Sequence, residues 1–210
     1  MNERVRWYFD FISPFAYLQW LRLKPLRDAL AIEPVAILFA AVLEHHRHKG
    51  PAEIPLKRKF TYRFVQFEAE RRGVPLRFPA AHPFNPLSAL RLAIALENRY
   101  DAIDAIFAQI WAEGGSTEDF AAIAARLGIN DVTAAISGPQ VKHALRANTE
   151  AALTHGVFGV PTLAIGDELF WGDDATAMAL AYREDRELFR RGQYARIDAL
   201  PTGVVRPSAQ

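Results

Sequence analysis

The 210-residue sequence contains no cysteine. A disulfide framework, a thiolate metal site, an iron–sulfur cluster and a cysteine nucleophile are therefore excluded together. It also lacks an excess of charge of either sign: 25 basic side chains face 24 acidic ones. That balance leaves no electrostatic footprint for nucleic acid, and there is no Lys/Arg tract to meet an anionic membrane. Apolar runs of membrane-spanning length are missing too, because Arg, Glu or Asp interrupts every alanine- and leucine-rich stretch. The first apolar residues read as a strand rather than a signal core. A cytoplasmic protein is the expectation. Half the residues are hydrophobic, enough for one domain with a sizeable core or a domain carrying an insertion.

Residues 3–9 alternate charged with apolar or aromatic side chains and predict a first strand. Ser13-Pro14 then opens a helix, since serine is a preferred N-cap and proline suits the first helical position. Its apolar face runs to about Leu30, with a kink expected at Pro25. Residues 34–39 predict a second strand, apolar enough for a sheet interior. A polar loop follows over 44–56, and 57–72 form a basic helix with Phe60, Phe64 and Phe67 on one face. Beyond the prolines at 75–86 the chain reads as helical to about His155. Pro161–Ile165 and Glu168–Trp171, joined by Gly166-Asp167, predict a tight hairpin. A helix is expected from about Asp174 to Phe189, before an irregular tail.

The layout βαβ, helical block, ββα is that of an α/β thioredoxin-like fold with an all-helical insertion. Its expected parts are a first half over 1–40, a mainly helical insertion over 41–155, a second half over 156–191 and a tail over 192–210. The stretches Phe9-Asp10-Phe11-Ile12-Ser13-Pro14-Phe15-Ala16-Tyr17-Leu18 and Gly156-Val157-Phe158-Gly159-Val160-Pro161-Thr162 carry a more specific likeness. With 50–55, Phe84-Asn85 and 169–174, they resemble in order the 2-hydroxychromene-2-carboxylate isomerases. These are relatives of the kappa-class glutathione transferases in the DsbA-like branch.

That resemblance implies glutathione as cofactor, a small aromatic substrate and a homodimer. It makes Ser13 the catalytic candidate, whose hydroxyl and neighbouring N–H groups hold a bound thiolate. An ordinary helix cap is the plainer reading of the same serine, and the two are compatible. The resemblance further implies a cis bond at Val160-Pro161, with the Val160 backbone pairing to the cofactor's peptide. Gly172, Asp173 and Asp174 would hold the γ-glutamyl end, although acidic residues at a helix start also need no ligand. Lys57 matches a lysine that reaches the glycyl carboxylate. His48 departs from the family pattern by standing where relatives carry asparagine. It either replaces that asparagine as a donor or makes no bond to the cofactor. The histidines around it lack firm ligand spacing, and no metal is expected.

An apolar substrate pocket is drawn from Phe11, Phe15, Tyr17, Phe84 and Trp171, each of a type that also fills cores. Asn85 either bonds a substrate carboxylate or shapes its turn. Disulfide exchange, the other chemistry of this fold, needs cysteine and is excluded. A kappa-like transferase and a non-catalytic glutathione- or peptide-binding module remain beside the isomerase.

Overall fold

A computed structural model describes residues 4–204. Strand β1 (Val5–Phe9) leads through Ser13 into helix α1 (Pro14–Leu23) and returns to β2 (Ile32–Ala36). Further helices follow on either side of a hairpin. These are α2 (Phe39–His45), α3 (Pro55–Arg71), α4 (Leu87–Ala95), α5 (Tyr100–Phe107), α6 (Ala121–Arg126), α7 (Val132–Ser137) and α8 (Pro139–Thr154), then β3 (Thr162–Ile165), β4 (Glu168–Trp171) and α9 (Thr176–Glu184). A last exposed helix, α10 (Gly192–Asp198), lies within the expected tail, of which residues 205–210 fall outside the described part. The four strands form one mixed sheet in the order β2-β1-β3-β4. β1 runs parallel to β2 and antiparallel to β3, and β3 pairs antiparallel with β4.

Two local expectations are corrected. Pro25 stops α1 rather than kinking it: the helix ends at Leu23 and turns fill 24–31, because proline offers no N–H and its ring clashes with the preceding turn. The second strand begins two residues earlier than expected and lies at the sheet edge. Pro34 sits in its middle, a position an edge strand tolerates and a central one does not.

The alternation of β1 sets the two faces of the core. Trp7 and Phe9 point to one side, where Trp7 stacks on Phe9 at 4.5 Å and on Trp20 of α1 at 4.8 Å between ring centroids. Tyr8 points to the other, among Val42, Val157 and Ala164. One buried polar side chain, Gln19 on α1, ties this core to the far end of the sheet. Its Oε1 accepts from Trp7 Nε1 at 2.7 Å, while Nε2 donates to Gly172 O at 2.9 Å and Thr176 Oγ1 at 3.0 Å. The start of α1 is thereby fixed against the turn between β4 and α9.

A candidate active site at the start of the first helix

Ser13 is the N-cap of α1, and Pro14 occupies the first helical position. The serine Oγ accepts from Ala16 N at 3.2 Å and donates to Val160 O at 3.5 Å, across from the β3 entry. Val160–Pro161 is cis. The loop beneath the serine is held from three sides. Asp10, wholly buried, accepts from Ile12 N at 3.0 Å and, across the fold, from Phe39 N at 2.9 Å. Trp111 Nε1 donates to Phe11 O at 2.8 Å. That indole is aimed by a single π-helical turn over Ala108–Ala112, where Glu113 N bonds Ala108 O five residues back. The third support is His82, whose Nε2 lies 2.8 Å from Ile12 O. Burial outweighs the two backbone donors on Asp10 and raises its carboxyl to about 7.

A cleft opens over this loop in two lobes that share Phe15, Val160 and Trp171. The first, about 290 Å³, is charged and takes in Glu68, Arg72, Gly172, Asp173 and Asp174. Asp173 is 4% exposed. Its carboxylate accepts from Arg22 at 3.0 and 3.2 Å and from Arg72 Nη2. Arg71 and Arg72 also bond Glu68, and the Arg71 bond foremost draws its carboxyl down to about 2. Gly172 is at φ +96°, and a Cβ there would overlap the Asp174 carboxylate. Its N–H donates to Pro161 O at 2.8 Å, so the turn is stitched to the cis proline.

The second lobe, about 400 Å³, is lined by Ile12, Ser13, Phe39, Leu43, residues 50–53, Thr61, Tyr62, His82 and Pro83. Its few polar groups include a hydroxyl–imidazole pair: Tyr62 Oη lies 2.6 Å from His82 Nδ1 and 2.9 Å from His82 O. Burial pushes the imidazole below its ordinary value, the Ile12 carbonyl pulls the other way, and Arg58 adds to the lowering. Burial raises the Tyr62 hydroxyl, with Arg58 opposing. Trp171, 55% exposed, packs over Gly159, where a Cβ would overlap its indole.

The structure brings Ser13, Phe15, Val160, Pro161, Trp171, Gly172, Asp173 and Asp174 to one cleft. The other expected site residues stand elsewhere. Phe11 is wholly buried, 4.6 Å from Phe107 and 5.2 Å from Phe9, so it is core and not pocket wall. Tyr17 is likewise core, its hydroxyl donating to Pro75 O at 2.7 Å and pushed by burial to about 12. Phe84 packs against Trp111 and the ring of His82, behind the second lobe. His48 is exposed outside both lobes. The turn closing α2, with Arg47 at φ +53°, sets its ring beside His46 instead. Lys57 is exposed on the first turn of α3, also outside the lobe walls. Asn85 accepts from Leu87 N at 3.1 Å, the turn-shaping alternative.

Asp10, Tyr62, His82, Trp111, Arg22 and Arg72 went unassigned in the sequence. His82 left one usable trace, a histidine before proline, flanked by Ala81 and Phe84 in a proline-rich connection. Among the described residues no group of three or more His, Cys, Asp and Glu is placed to hold a metal, and no helix is long and apolar enough to cross a membrane.

Comparison with known proteins agrees with the fold. Residues 4–182 match a family described as a DSBA-like thioredoxin domain. The chain is 33% identical over 184 residues to a 2-hydroxychromene-2-carboxylate isomerase of Pseudomonas putida, covering 83% of this chain and 91% of that protein. It is 28% identical over 182 residues to glutathione S-transferase kappa 2 of Caenorhabditis elegans, covering 78% and 81%. A solved structure of a 2-hydroxychromene-2-carboxylate isomerase superposes with a TM-score of 0.73 at 28% identity, over 88% of this chain and 98% of that one.

Proposed function

This chain belongs to the 2-hydroxychromene-2-carboxylate isomerase family of DsbA-like thioredoxin domains, and from that premise we propose that it is a glutathione-dependent isomerase of small aromatic conjugated carboxylates, working in the breakdown of aromatic compounds. The observation that carries this reading is the Ser13 hydroxyl at the N-terminus of α1, where the charged and apolar lobes meet, in a chain with no thiol of its own.

The residues present fit glutathione. The charged lobe offers acidic Asp174 at its lip, Val160 backbone groups beside Pro161, and the guanidinium-bearing Arg72 in its wall. Bound glutathione supplies a thiol whose anion adds reversibly to a conjugated double bond, freeing that bond to rotate before the thiolate leaves.

The protein's part is to hold the sulfur charged and the ring in register. A free thiol has a pKa of about 8.5, and a helix N-terminus lowers it by favouring the anion. Ser13 adds a donor: while its oxygen accepts from Ala16 N, its hydrogen is engaged only by a long 3.5 Å bond to Val160 O and is free to turn to a sulfur. The apolar lobe sheds water from an aromatic ring, and Phe15 and Trp171 border both ligands. The proposal puts the protein in the cytoplasm, where glutathione is kept reduced. It also includes a homodimer, for which exposed Leu56, Phe60 and Phe67 on α3 supply an apolar face.

Ser13→Ala tests the reading. Turnover of 2-hydroxychromene-2-carboxylate with glutathione should fall on the order of 100-fold or more, against a cap loss of about 0.5–2 kcal/mol in stability. The ultraviolet thiolate absorbance of bound glutathione should persist to lower pH in the wild type than in the variant. Full activity in Ser13→Ala, or turnover without glutathione, defeats the proposal. Glutathione retained in the product would favour a transferase, the reading to which the kappa 2 similarity points.

A further inference from the structure

The thiol-binding end of the cleft makes no use of Tyr62 and His82, although both line the apolar lobe. Their hydrogen bonds are unusually well determined by elimination. A carbonyl only accepts, so His82 Nε2 carries hydrogen and donates to Ile12 O at 2.8 Å. The state of Nδ1 is then open, and the tyrosine hydroxyl is placed to serve both possibilities. With the imidazole neutral, Tyr62 Oη donates to Nδ1 at 2.6 Å. With the imidazole protonated, Nδ1 donates to Oη, and the hydroxyl hydrogen turns to His82 O at 2.9 Å. Both states leave every hydrogen of the pair bonded. They differ by one proton and one hydroxyl rotation, with no heavy atom moved.

We propose that Tyr62, backed by His82, is the acid–base couple of the apolar lobe, and that it serves the opening of a cyclic hemiketal whose ring oxygen is borne by an arene. This deepens the isomerase reading and rests on it. Tyr62, which borders the lobe, is the catalytic residue; His82 acts through it and is the positioning and proton-storing residue. The step balances without any redox partner. The hemiketal O–H bond breaks, and its electron pair becomes the second bond of a new C=O. The ring C–O bond breaks with its pair going to the aryl oxygen, which takes a proton. The couple receives the first proton through the Tyr62 hydroxyl and returns one to the aryl oxygen through the same hydroxyl. The rest of the wall is mostly apolar, with Ser13, Glu53 and Thr61 its other polar side chains, which suits the arene.

The groups that face this pair bear on its pH dependence. Arg58 lies one turn before Tyr62 on α3, and Glu53 stands across the lobe with its carboxylate accepting from Gly50 N at 2.6 Å. Asp10 sits behind Ile12, on the N–H side of the residue whose carbonyl His82 holds. Trp111, Phe78 and Phe84 surround the imidazole with rings. Burial foremost, with Arg58, favours the neutral imidazole against the pull of the Ile12 carbonyl.

Two measurements on the full chain decide the matter. Tyr62→Phe keeps the ring packed on Phe78 at 4.7 Å, and its kcat on 2-hydroxychromene-2-carboxylate should fall on the order of 100-fold. KM for glutathione and the bound-thiolate absorbance should hold, and the loss should be smaller on an open-chain aryl enone that has no ring to open. The wild-type kcat should decline on the acid side through the His82 midpoint, a limb absent from the variant. Independently of turnover, the ¹⁵N resonances of the His82 ring, identified by their absence from His82→Gln, should show the Nε2–H tautomer. Their midpoint should lie below the ordinary value and fall further in Tyr62→Phe, which deprives the protonated ring of its acceptor. An unchanged kcat on the ring substrate, or an unmoved His82 midpoint, overturns the inference. If the wild type turns over neither substrate, the isomerase reading fails, and the resonance titration still decides whether the couple exists.

Discussion

The charged lobe and the apolar lobe rest on the same three residues, Phe15, Val160 and Trp171, but their remaining walls are secured by different forces. Beside the charged lobe, Arg22 from α1 and Arg72, the C-cap of α3, converge on the carboxylate of Asp173 in the turn after β4. Three elements distant in sequence are joined there, so the lobe's shape is part of the fold's own bracing. The apolar lobe also draws on α1, α2 and α3, but one stretch of its wall, the 3₁₀ turn over Pro51–Glu53, adds no residue to the hydrophobic core. The charged half of the cleft is therefore costly to change, and the apolar half has at least one wall that is cheap. Ligand chemistry should follow that division, with a constant partner in the charged lobe and a variable one beside it.

The sharpest way to break the contrast is Asp173→Ala. It leaves two guanidinium groups facing each other without their shared acceptor. Removing one partner of a fully buried pair costs roughly 3–5 kcal/mol. Arg22 retains 38% of its side-chain exposure, so solvent screening should bring the loss to about 2–3 kcal/mol in urea unfolding. KM for glutathione should rise well beyond KM for the aromatic substrate. Equal rises would mean that the lobes are not separable.

Asp10→Asn probes the floor beneath both lobes and should cost somewhat less, about 1–3 kcal/mol, because an amide nitrogen must face one of two backbone N–H donors. It carries a pH signature as well. The folded-state value, raised to about 7 from an ordinary 3.8, favours the protonated form in the fold. The Asp10 contribution is thus fully present below about pH 4 and is lost as pH rises through about 7. Melting across that window should show a wild-type slope that the asparagine variant lacks; parallel curves would refute the assignment. The smallest effect is expected outside the cleft. Asn85→Ala removes one turn bond, worth about 0.5–1.5 kcal/mol, and should leave KM for both substrates unchanged. A raised KM would return Asn85 to the substrate site.

The contrast between lobes also marks what a single sequence reveals. The start of α1 was legible because cap and first-turn chemistry reside in adjacent residues, Ser13 and Pro14. The β3–β4 hairpin was legible for the same reason, with Gly166 at φ +62° in a two-residue turn. Direction was not legible. Phe11 and Phe15 differ little in type, yet one lies in the core and the other lines both lobes. Pairing over distance was hidden as well: Tyr62 meets His82 across 20 residues, and Arg72 meets Asp173 across 101. Such pairs exist only once the helices have been placed, and no residue in them announces its partner. The family resemblance matched Asp174 and left Asp173 at a variable position, while the arginines that occupy Asp173 came from the geometry alone.

Gln19 gives this division a consequence over evolutionary time. By gripping Trp7, Gly172 and Thr176 at once, it makes the span from Ser13 to the β4–α9 turn a fixed length. A ligand stretched between those two points is measured against a rigid gauge. Descendants of this chain can reshape the wall over residues 51–53 one substitution at a time and so exchange one arene for another. They cannot take a longer or shorter ligand between those two points without first dismantling the gauge, so new activities on this scaffold should diverge at the apolar lobe while the charged end keeps its span.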